Sequence, residues 1–317
     1  ITEGKTVVGV EFALPFGRNK SVRAKEVILC GGAFNSPHLL MLSGIGPREE
    51  LDRHGIQVRH ALEGVGQNLQ DHIDVFVRAR ARTRLGISMH PSYWLKGLWA
   101  VLQYLAGRRG VLSSNGAEAG GFIRSRPQEP IPDLQLHFGP MLYANHGRDI
   151  KTAMSGYGYI VMIYGLRPLS RGRVGLHSAD PHAAPLIDPA YLSDPADVER
   201  LVRGVRMVRE ILVQPAFAPH HDVEVSPGEA LLSDQDLADW VRRSAESAYH
   251  PVGTCKMGVD SLAVVDPRLR VHGVQCLRVI DASIMPTLVG GNTNQPATMI
   301  GEKGAAMMLE DAATSGA

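Results

Sequence analysis

Two polar side chains near the end of the sequence have the chemistry that a proton-transfer site requires. His250 stands before Pro251, and Asn292 lies in the glycine-rich segment 290–296. A neutral imidazole can accept a proton near neutral pH, because its ordinary pKa is about 6.5. An asparagine amide can orient an oxygen without competing for that proton. The residues alone still favour a structural interpretation, in which His250 caps a turn and Asn292 serves a tight loop.

Several other chemistries lack their sequence signatures. The glycine pairs at 44–46 and 64–66 miss the third glycine of a dinucleotide fingerprint, and no Gly-x-Ser-x-Gly segment supports a serine hydrolase. The 13 histidines form no His-x-x-x-His pair with a third ligand, and the 3 cysteines are widely spaced. We therefore predict no metal site and no disulfide framework.

The composition is that of an ordinary globular protein. Of 317 residues, 44% are hydrophobic and 21% are charged, with 33 basic residues against 32 acidic ones. This balance gives no sign of a nucleic-acid partner, and no apolar run is long enough for a transmembrane segment. The odd cysteine count favours a reducing compartment. We expect a cytoplasmic location, and peripheral association with the inner membrane stays open as an alternative.

The elements that must position the polar residues begin and end the sequence. Residues 27–30 form a continuous apolar run typical of a buried parallel strand, and Gly31 and Gly32 follow it. Ser36 suits a helix N-cap and Pro37 the first helical position, so a helix is expected to follow. Such a unit suits contact with a cofactor, although many similar units bind nothing. Near the other end, the predicted strand 277–280 leads directly into Asp281.

The middle of the sequence has a different character. Residues 132–138, 157–164 and 172–177 are typical of strands in a largely antiparallel sheet. Residues 197–213 carry an apolar stripe and predict a helix, with Arg200, Arg203 and Arg206 interpreted as a solvated face. Further helices are predicted at 94–105, 233–245 and 297–309. The order of patterns predicts discontinuous domains with boundaries at 1–75, 76–245 and 246–317.

Three segments become specific when they are taken together. They are Gly-Ala-Phe-Asn-Ser-Pro-His-Leu-Leu-Met-Leu-Ser-Gly-Ile-Gly at 32–46, Gly-Val-Gly-Gln-Asn-Leu-Gln-Asp-His at 64–72, and Tyr-His-Pro-Val-Gly-Thr-Cys-Lys-Met-Gly at 249–258 with its continuation at 279–286 and 291–294. Together they resemble the glucose–methanol–choline oxidoreductases, in that family's order. The resemblance runs from residue 1 to about residue 310, and the residues of these motifs are similar to those of bacterial choline dehydrogenases and their alcohol-dehydrogenase relatives.

The resemblance implies a fold and an activity. The fold would be α+β, with a partial FAD-binding, Rossmann-like domain formed by 1–75 and 246–317 and a substrate-binding domain at 76–245. The activity would be FAD-dependent oxidation of a primary alcohol to an aldehyde by hydride transfer to flavin N5. His250 matches the family's catalytic histidine and would accept the proton, and Asn292 matches the second member of the pair. A flavin oxidase using O₂ and a non-catalytic remnant unable to hold FAD stay open.

The resemblance also implies cofactor contacts. Asp281, with Ala282, matches residues near the ribityl and pyrophosphate groups of FAD. The helix after Pro296 would point its positive end at the flavin pyrimidine, with backbone groups of Asn294 and Gln295 as contacts. Gly31 and Gly32 would lie near the ADP half. Each has a structural alternative, a turn residue for Asp281 and tight packing for the glycines.

One part of the family pattern is missing. The Gly-x-Gly-x-x-Gly fingerprint lies upstream of every segment seen here, and it grips the FAD diphosphate. We therefore expect the N-terminal portion of the same enzyme as a partner, and we predict that this chain alone does not hold FAD at stoichiometry. The other partners would be a small alcohol and an electron acceptor, either a quinone or O₂. The sequence does not specify which alcohol is oxidised.

Overall fold

The computed structural model of the chain describes residues 1–14, 17–84 and 86–315. Its strands, in chain order, are β1 Thr2–Glu3, β2 Thr6–Val7, β3 Gly9–Leu14, β4 Arg18–Arg23, β5 Val27–Leu29, β6 Ile45–Gly46, β7 His60–Ala61, β8 Ile73–Ala81, β9 Ala119–Ile123, β10 Leu134–Gly139, β11 Gly158–Gly165, β12 Arg173–Gly175, β13 Leu186–Asp188, β14 His221–Ser226, β15 Glu246–Ser247 and β16 Leu277–Val279. Its α-helices are α1 Gly32–Leu42, α2 Arg48–Arg53, α3 Trp94–Gly107, α4 Ile150–Met154, α5 Pro195–Leu212, α6 Asp234–Ser244 and α7 Asn294–Ser315. Short 3₁₀ turns are Pro91–Tyr93, Val111–Ser113, Asn145–Gly147 and Ala282–Ile284. Helices and mainly antiparallel strands confirm the α+β class.

The chain divides into two compact units. The first unit comprises Ile1–His72, Pro168–Ser193 and Tyr249–Ala317, and the second comprises Ile73–Arg167 and Asp194–Ala248. The segment Pro168–Ser193 thus groups with the chain ends, whereas the predicted middle domain included it. The assignment of residues 1–75 and 246–317 to FAD binding and of residues 76–245 to substrate binding stays a prediction.

A six-stranded antiparallel sheet dominates the second unit. Its strands run in the order β14, β8, β11, β10, β9, and β15 pairs with β8 beyond that path. Strand β11 is buried at every position, and its sequence Gly-Tyr-Ile-Val-Met-Ile-Tyr-Gly is rich in the β-branched and aromatic residues that fill both faces of a sheet. The strands predicted at 132–138 and 157–164 are confirmed as β10 and β11.

Helix α5 packs against this sheet along its apolar stripe. The Asp194 side chain caps the helix by accepting the N–H of Ala196 at 2.9 Å. A Cβ added at Gly204 would lie 2.6 Å from Cγ2 of Ile163, so only glycine permits this close approach to β11. The predicted start of α6 is confirmed as well, because the Ser233 hydroxyl accepts the N–H of Asp236 at 3.1 Å.

The arginines of α5 are not a uniform solvated face. The Arg200 side chain is only 13% exposed, and its guanidinium lies 3.2 Å from Asp133 and 2.9 Å from Asp197. Those two carboxylates are themselves almost fully buried, so they require a buried cation. Arg206, in contrast, is half-exposed and pairs with an exposed Asp234. The prediction of a solvated face was therefore wrong for Arg200.

Helix α3 confirms the helix predicted at 94–105, and most of its large apolar side chains are exposed in the described part of the chain. Trp94, Leu95 and Leu105 are 76%, 85% and 76% exposed, and Ala100 is buried. Within the described ranges, no helix combines the length and apolar content needed to cross a bilayer.

The first unit contains the parallel strand pair β5 and β16, with Leu277, Arg278 and Val279 opposite Val27, Ile28 and Leu29. The two strands predicted from apolar runs at these positions are confirmed. Their inner residues join a hydrophobic core that also takes in side chains of α1 and of the loops after Tyr249. Two strands ending side by side bring Gly31 and Asp281 to the same edge of the pair.

Candidate active site

Helix α1 begins earlier than its sequence suggests. It starts at Gly32, so Ser36 and Pro37 lie inside the helix, and the predicted N-cap at Ser36 was wrong. The Ser36 hydroxyl instead accepts the N–H of Gly31 at 3.0 Å and donates to Oδ2 of Asp281 at 2.5 Å. Ser36 is not a cap because the helix begins four residues earlier, and its hydroxyl makes a charge-assisted hydrogen bond to a carboxylate from a distant segment.

Proline inside α1 leaves one backbone acceptor available to another segment. Pro37 has no N–H, so the carbonyl of Ala33, four residues earlier, has no donor within the helix. The buried hydroxyl of Thr254 donates to this carbonyl at 2.6 Å. The helix is thereby tied to the segment that carries His250.

The Asp281 carboxylate joins the ends of β5 and β16. Its Oδ2 accepts the N–H of Gly32 at 2.9 Å in addition to the Ser36 hydroxyl, and its Oδ1 accepts the N–H of Ser283 at 2.7 Å. Ala282 begins the 3₁₀ turn that Asp281 caps. Asp281 is therefore a turn residue, as its structural alternative expected. Its contact with FAD stays a prediction.

Segment 64–72 runs alongside the loop that carries His250. Gly66 donates its N–H to the carbonyl of Thr254 at 2.9 Å. Gln70 and Val252 exchange two backbone hydrogen bonds of 3.0 and 2.9 Å, as neighbouring antiparallel strands do. Two of the three segments singled out by sequence are therefore fixed in register to each other.

The side chains of the same segment extend this attachment to the loop before Asn292. Asn68 donates to the carbonyl of Gly253 at 3.1 Å, and Gln70 donates to the carbonyl of Pro286 at 3.1 Å. The Gln70 carbonyl oxygen in turn accepts the N–H of Leu288 at 3.1 Å. A buried amide that satisfies backbone groups on both sides holds an irregular segment as firmly as a strand would.

The backbone at His250 is held by Asp71. Oδ1 of Asp71 accepts the N–H of His250 at 2.9 Å, and its Oδ2 accepts the hydroxyl of Tyr191 at 2.5 Å. The preceding residue, Tyr249, has a φ of +63°, a conformation that bulky side chains adopt only under tertiary constraint. Asp71 provides that constraint, because its bond to His250 fixes the peptide that follows Tyr249.

The imidazole of His250 lies between two polar side chains. Its Nδ1 is 3.0 Å from Nδ1 of His72, which is fully buried, and the two rings stand at 90° to each other. Its Nε2 is 3.4 Å from Nδ2 of Asn292. The structure therefore brings the two predicted catalytic residues together, although 42 residues separate them in the chain. Their catalytic role stays a prediction.

The predicted cofactor residues form two groups. Gly31, Gly32, Asp281 and Ala282 lie at the ends of β5 and β16, whereas Asn294, Gln295 and Pro296 form the first turn of α7. That helix begins at Asn294 rather than at residue 297, because Thr293 accepts the first intrahelical bond, from Ala297, at 2.9 Å. The first backbone N–H groups of α7 have no intrahelical acceptor.

These residues fit a flavin nucleotide in two respects. Gly32 has a φ of +73°, and a Cβ added there would meet no atom within 4 Å, so its surface is open to close approach by a ligand. The donors at the start of α7 suit an anionic or carbonyl-rich group. The N–H groups of Gly31 and Gly32 are already bonded to Ser36 and Asp281, so Gly32 offers close approach rather than a hydrogen bond, whereas the Cβ side of Gly31 is filled by Asn35 and Ser36.

The cysteines are free thiols, and two of them are affected by the same carboxylate. Burial raises the pKa of Cys255, Asp281 raises it further, and a hydrogen bond with Ser283 opposes the shift. Burial and Asp281 also raise the pKa of Cys30. Neither thiol is prepared to act as a nucleophile. Among the described residues, no cluster of three or more His, Cys, Asp or Glu side chains could hold a metal ion.

Sequence reasoning missed the residues that hold His250. Gln70, Asp71 and His72 were quoted only as part of the motif at 64–72, and Tyr191 was given no role. The available signal was the run Asn68 to His72, in which polar side chains are too closely spaced for an ordinary core strand. Nothing in the sequence indicated the contribution of Tyr191.

The fold and these contacts suit a flavin nucleotide, and comparison with known proteins identifies the family. Sequence profiles of the GMC oxidoreductases match residues 1–74 and 168–301. The chain belongs to the GMC oxidoreductase family.

Individual relatives agree with that assignment. The chain is 48% identical to "Alcohol dehydrogenase [acceptor]" from Pseudomonas putida, over 92% of this chain and 52% of that protein. It is 45% identical to "Choline dehydrogenase, mitochondrial" from Homo sapiens, over 96% of this chain and 51% of that protein. A variant of formate oxidase from Aspergillus oryzae, studied for its FAD modification, superposes with a TM-score of 0.87 at 30% identity, over 97% of this chain and 58% of that one. The chain thus spans about half the length of the relatives it matches.

Proposed function

We propose that the chain contributes the proton-accepting residues of an FAD-dependent oxidoreductase that converts a primary alcohol to an aldehyde. The observation that carries this proposal is the 3.4 Å approach of the His250 Nε2 to the Asn292 amide in a member of the GMC family. The names of the alcohol and choline dehydrogenase relatives support the substrate class. The name of the formate oxidase structure supports FAD as the cofactor.

The reaction divides between the chain and its cofactor. His250 takes the hydroxyl proton of the alcohol on Nε2 and becomes an imidazolium. Asn292 donates a hydrogen bond from Nδ2 to the same oxygen, which keeps the hydroxyl proton directed at His250. When bound, FAD supplies the acceptor for the hydride that leaves the alcohol carbon. The alcohol loses one proton and one hydride, so the product is the aldehyde.

The cofactor would be held by two groups of residues. Gly31, Gly32, Asp281 and Ala282 would lie against the ADP and ribityl–pyrophosphate portions, with the open surface of Gly32 allowing close approach. The backbone N–H groups of Asn294 and Gln295, at the positive end of α7 before Pro296, would face the flavin pyrimidine. A further segment with a diphosphate-binding glycine motif, supplied by the rest of the enzyme, would complete this site.

The test is made in the full-length enzyme: the anaerobic reduction of its bound flavin by alcohol is followed by stopped-flow absorbance. His250→Ala should lower the reduction rate by about 10²–10⁴, the usual contribution of a general base. Asn292→Ala should lower the rate as well as the affinity if its bond tightens in the transition state. His182→Ala, at an exposed site of the first unit, is the matched histidine control and should leave the rate unchanged. A His250→Ala rate close to that of the unmodified protein contradicts the proposal.

Two further measurements separate the alternatives. Flavin absorbance of the purified protein distinguishes a cofactor-binding enzyme from a remnant that holds none. Oxygen consumption during turnover distinguishes an oxidase from a dehydrogenase that passes its electrons to a quinone. Both acceptors stay open, because a relative of this chain from Chromohalobacter salexigens carries the name "Oxygen-dependent choline dehydrogenase".

A further inference from the structure

A neutral histidine that acts as a base must carry its proton on the ring nitrogen that faces away from the substrate. For His250 the substrate-facing nitrogen is Nε2, because that nitrogen approaches Asn292. The other nitrogen, Nδ1, lies 3.0 Å from Nδ1 of His72, at hydrogen-bond distance. One proton lies between these two nitrogens when both rings are neutral, and its owner determines which tautomer His250 adopts.

The contacts of His250 Nε2 decide between the two arrangements. If His72 owned the shared proton, neutral His250 would carry its own proton on Nε2 and would point it at the amide donor of Asn292. Two donors would then face each other, and Nε2 could accept nothing. If His250 owns the shared proton, Nε2 presents its lone pair to the Asn292 amide, and to the substrate hydroxyl once an alcohol is bound and Asn292 donates to the alcohol oxygen instead. Only the second arrangement satisfies both contacts.

We propose that His72 is a positioning residue that selects the Nδ1–H tautomer of His250 by accepting its Nδ1–H. This inference rests on the proposed function of His250. His72 is suited to the task because it is fully buried and because its neighbours in the chain are fixed. Gln70 is paired with Val252, and Asp71 holds the backbone N–H of His250. The acceptor and the donor therefore belong to two segments in fixed register, and neither ring is free to turn away.

The same bond persists during proton transfer. When Nε2 takes the hydroxyl proton, the His250 imidazolium continues to donate from Nδ1 to the His72 lone pair. A donor that becomes charged makes a stronger hydrogen bond, so His72 stabilises the protonated base more than the neutral one. A buried carboxylate does this in other catalytic triads. Here the Asp71 carboxylate accepts the backbone N–H of His250 instead, and the neutral imidazole of His72 contacts the His250 ring.

Nuclear magnetic resonance of the chain labelled with ¹⁵N-histidine tests the proposal directly. Long-range ¹H–¹⁵N correlations distinguish a protonated ring nitrogen from an unprotonated one, and loss of signals in His250→Gln assigns the ring. We expect neutral His250 to carry its proton on Nδ1. A proton on Nε2 in the unmodified chain overturns the proposal, and the tautomer is measured in the unmodified chain without FAD.

Two matched variants add a second readout. His72→Asn places an amide oxygen where Nδ1 of His72 lies, whereas His72→Leu removes the acceptor at similar volume. His72→Leu should lower the ratio of the Nδ1–H to the Nε2–H tautomer about threefold to tenfold, the effect of one lost neutral hydrogen bond. Flavin reduction in the FAD-loaded protein should slow by a similar factor, and His72→Asn should restore both. An unchanged tautomer in a folded His72→Leu protein contradicts the role of His72.

The outcomes also separate this inference from the proposed function. If His250→Ala reduces flavin normally while His250 holds its proton on Nδ1, the base assignment fails and the positioning by His72 stands. If His250→Ala is inactive while the tautomer is Nε2–H, the base assignment stands and the positioning fails.

Discussion

Helix α5 in the second unit and the segments around His250 in the first unit hold their buried polar groups by different means. In the second unit, buried charge is paired between regular elements, as when Arg200 of α5 meets Asp133 beside β10. Around His250 in the first unit, the polar groups lie on irregular segments, and side chains such as Gln70 and Asp281 satisfy backbone groups of other loops. Helices and strands are rigid enough to hold the two charged groups of a buried ion pair at a fixed distance. Loops that present reactive groups must instead be held directly by hydrogen bonds.

The largest effect is expected from breaking the ion pairs of the second unit. Arg200→Met leaves the buried carboxylates of Asp133 and Asp197 without their cation. We expect the free energy of unfolding to fall by about 3–5 kcal/mol. Urea unfolding followed by tryptophan fluorescence measures it, because Trp94, Trp99 and Trp240 all lie in this unit.

The control for this variant lies on the same helix. Arg206→Met removes the half-exposed pair with Asp234 and should cost less than about 1 kcal/mol. Equal losses for the two variants would show that burial does not distinguish the two arginines, and the comparison between buried and exposed pairs would fail.

The next effect is expected in the first unit, at the ends of β5 and β16. Asp281→Ala removes the acceptor of Gly32, Ser36 and Ser283 and should lower the free energy of unfolding by about 2–4 kcal/mol. Asp281→Asn keeps one oxygen and should lose about half as much. Alkylation of buried Cys255 in increasing urea reports on this unit. A stable Asp281→Ala protein would mean that the two strand ends are held by packing alone.

A smaller and more specific effect is expected where Thr254 meets α1. Thr254→Val leaves the Ala33 carbonyl without its donor and should cost about 1–3 kcal/mol. Pro37→Ala restores an N–H four residues from Ala33, so the helix can satisfy that carbonyl itself. In the Pro37→Ala background, Thr254→Val should therefore cost about 1 kcal/mol less. The four proteins form a double-mutant cycle measured by urea unfolding, and a coupling of zero would remove the link between the two residues.

The sequence predicted most of the elements because their signals are local. The apolar run at 27–30 and the apolar stripe of α5 predict a strand and a helix from neighbouring residues alone, and both elements are present. The errors arose where a distant residue decides the outcome. Ser36 is a residue type typical of helix caps, yet its hydroxyl donates to Asp281. Arg200 has the spacing of a surface residue, yet it forms a buried ion pair with Asp133. Periodicity carries no information about such partners.

The candidate site shows the same division. The pair His250 and Asn292 was found through the resemblance of whole segments, and the structure brings the two side chains together. The residues that hold His250 were not found, because their roles depend on contacts spanning 120 to 179 residues. A list of motif residues names the groups that could react, whereas the contacts between segments determine how they are oriented.

The separation of those contacts along the chain has a kinetic consequence. The bond from Gly32 to Asp281 spans 249 residues, and the bond from Thr254 to Ala33 spans 221. Loops of this length close late, because the chain must lose conformational entropy before the contacts that stabilise the closed loop can form. Strands β10 and β11 of the second unit, by contrast, pair with a near neighbour in sequence. During refolding, Trp240 fluorescence should recover before the protection of Cys255, and the arrangement around His250 should be among the last parts of the molecule to form.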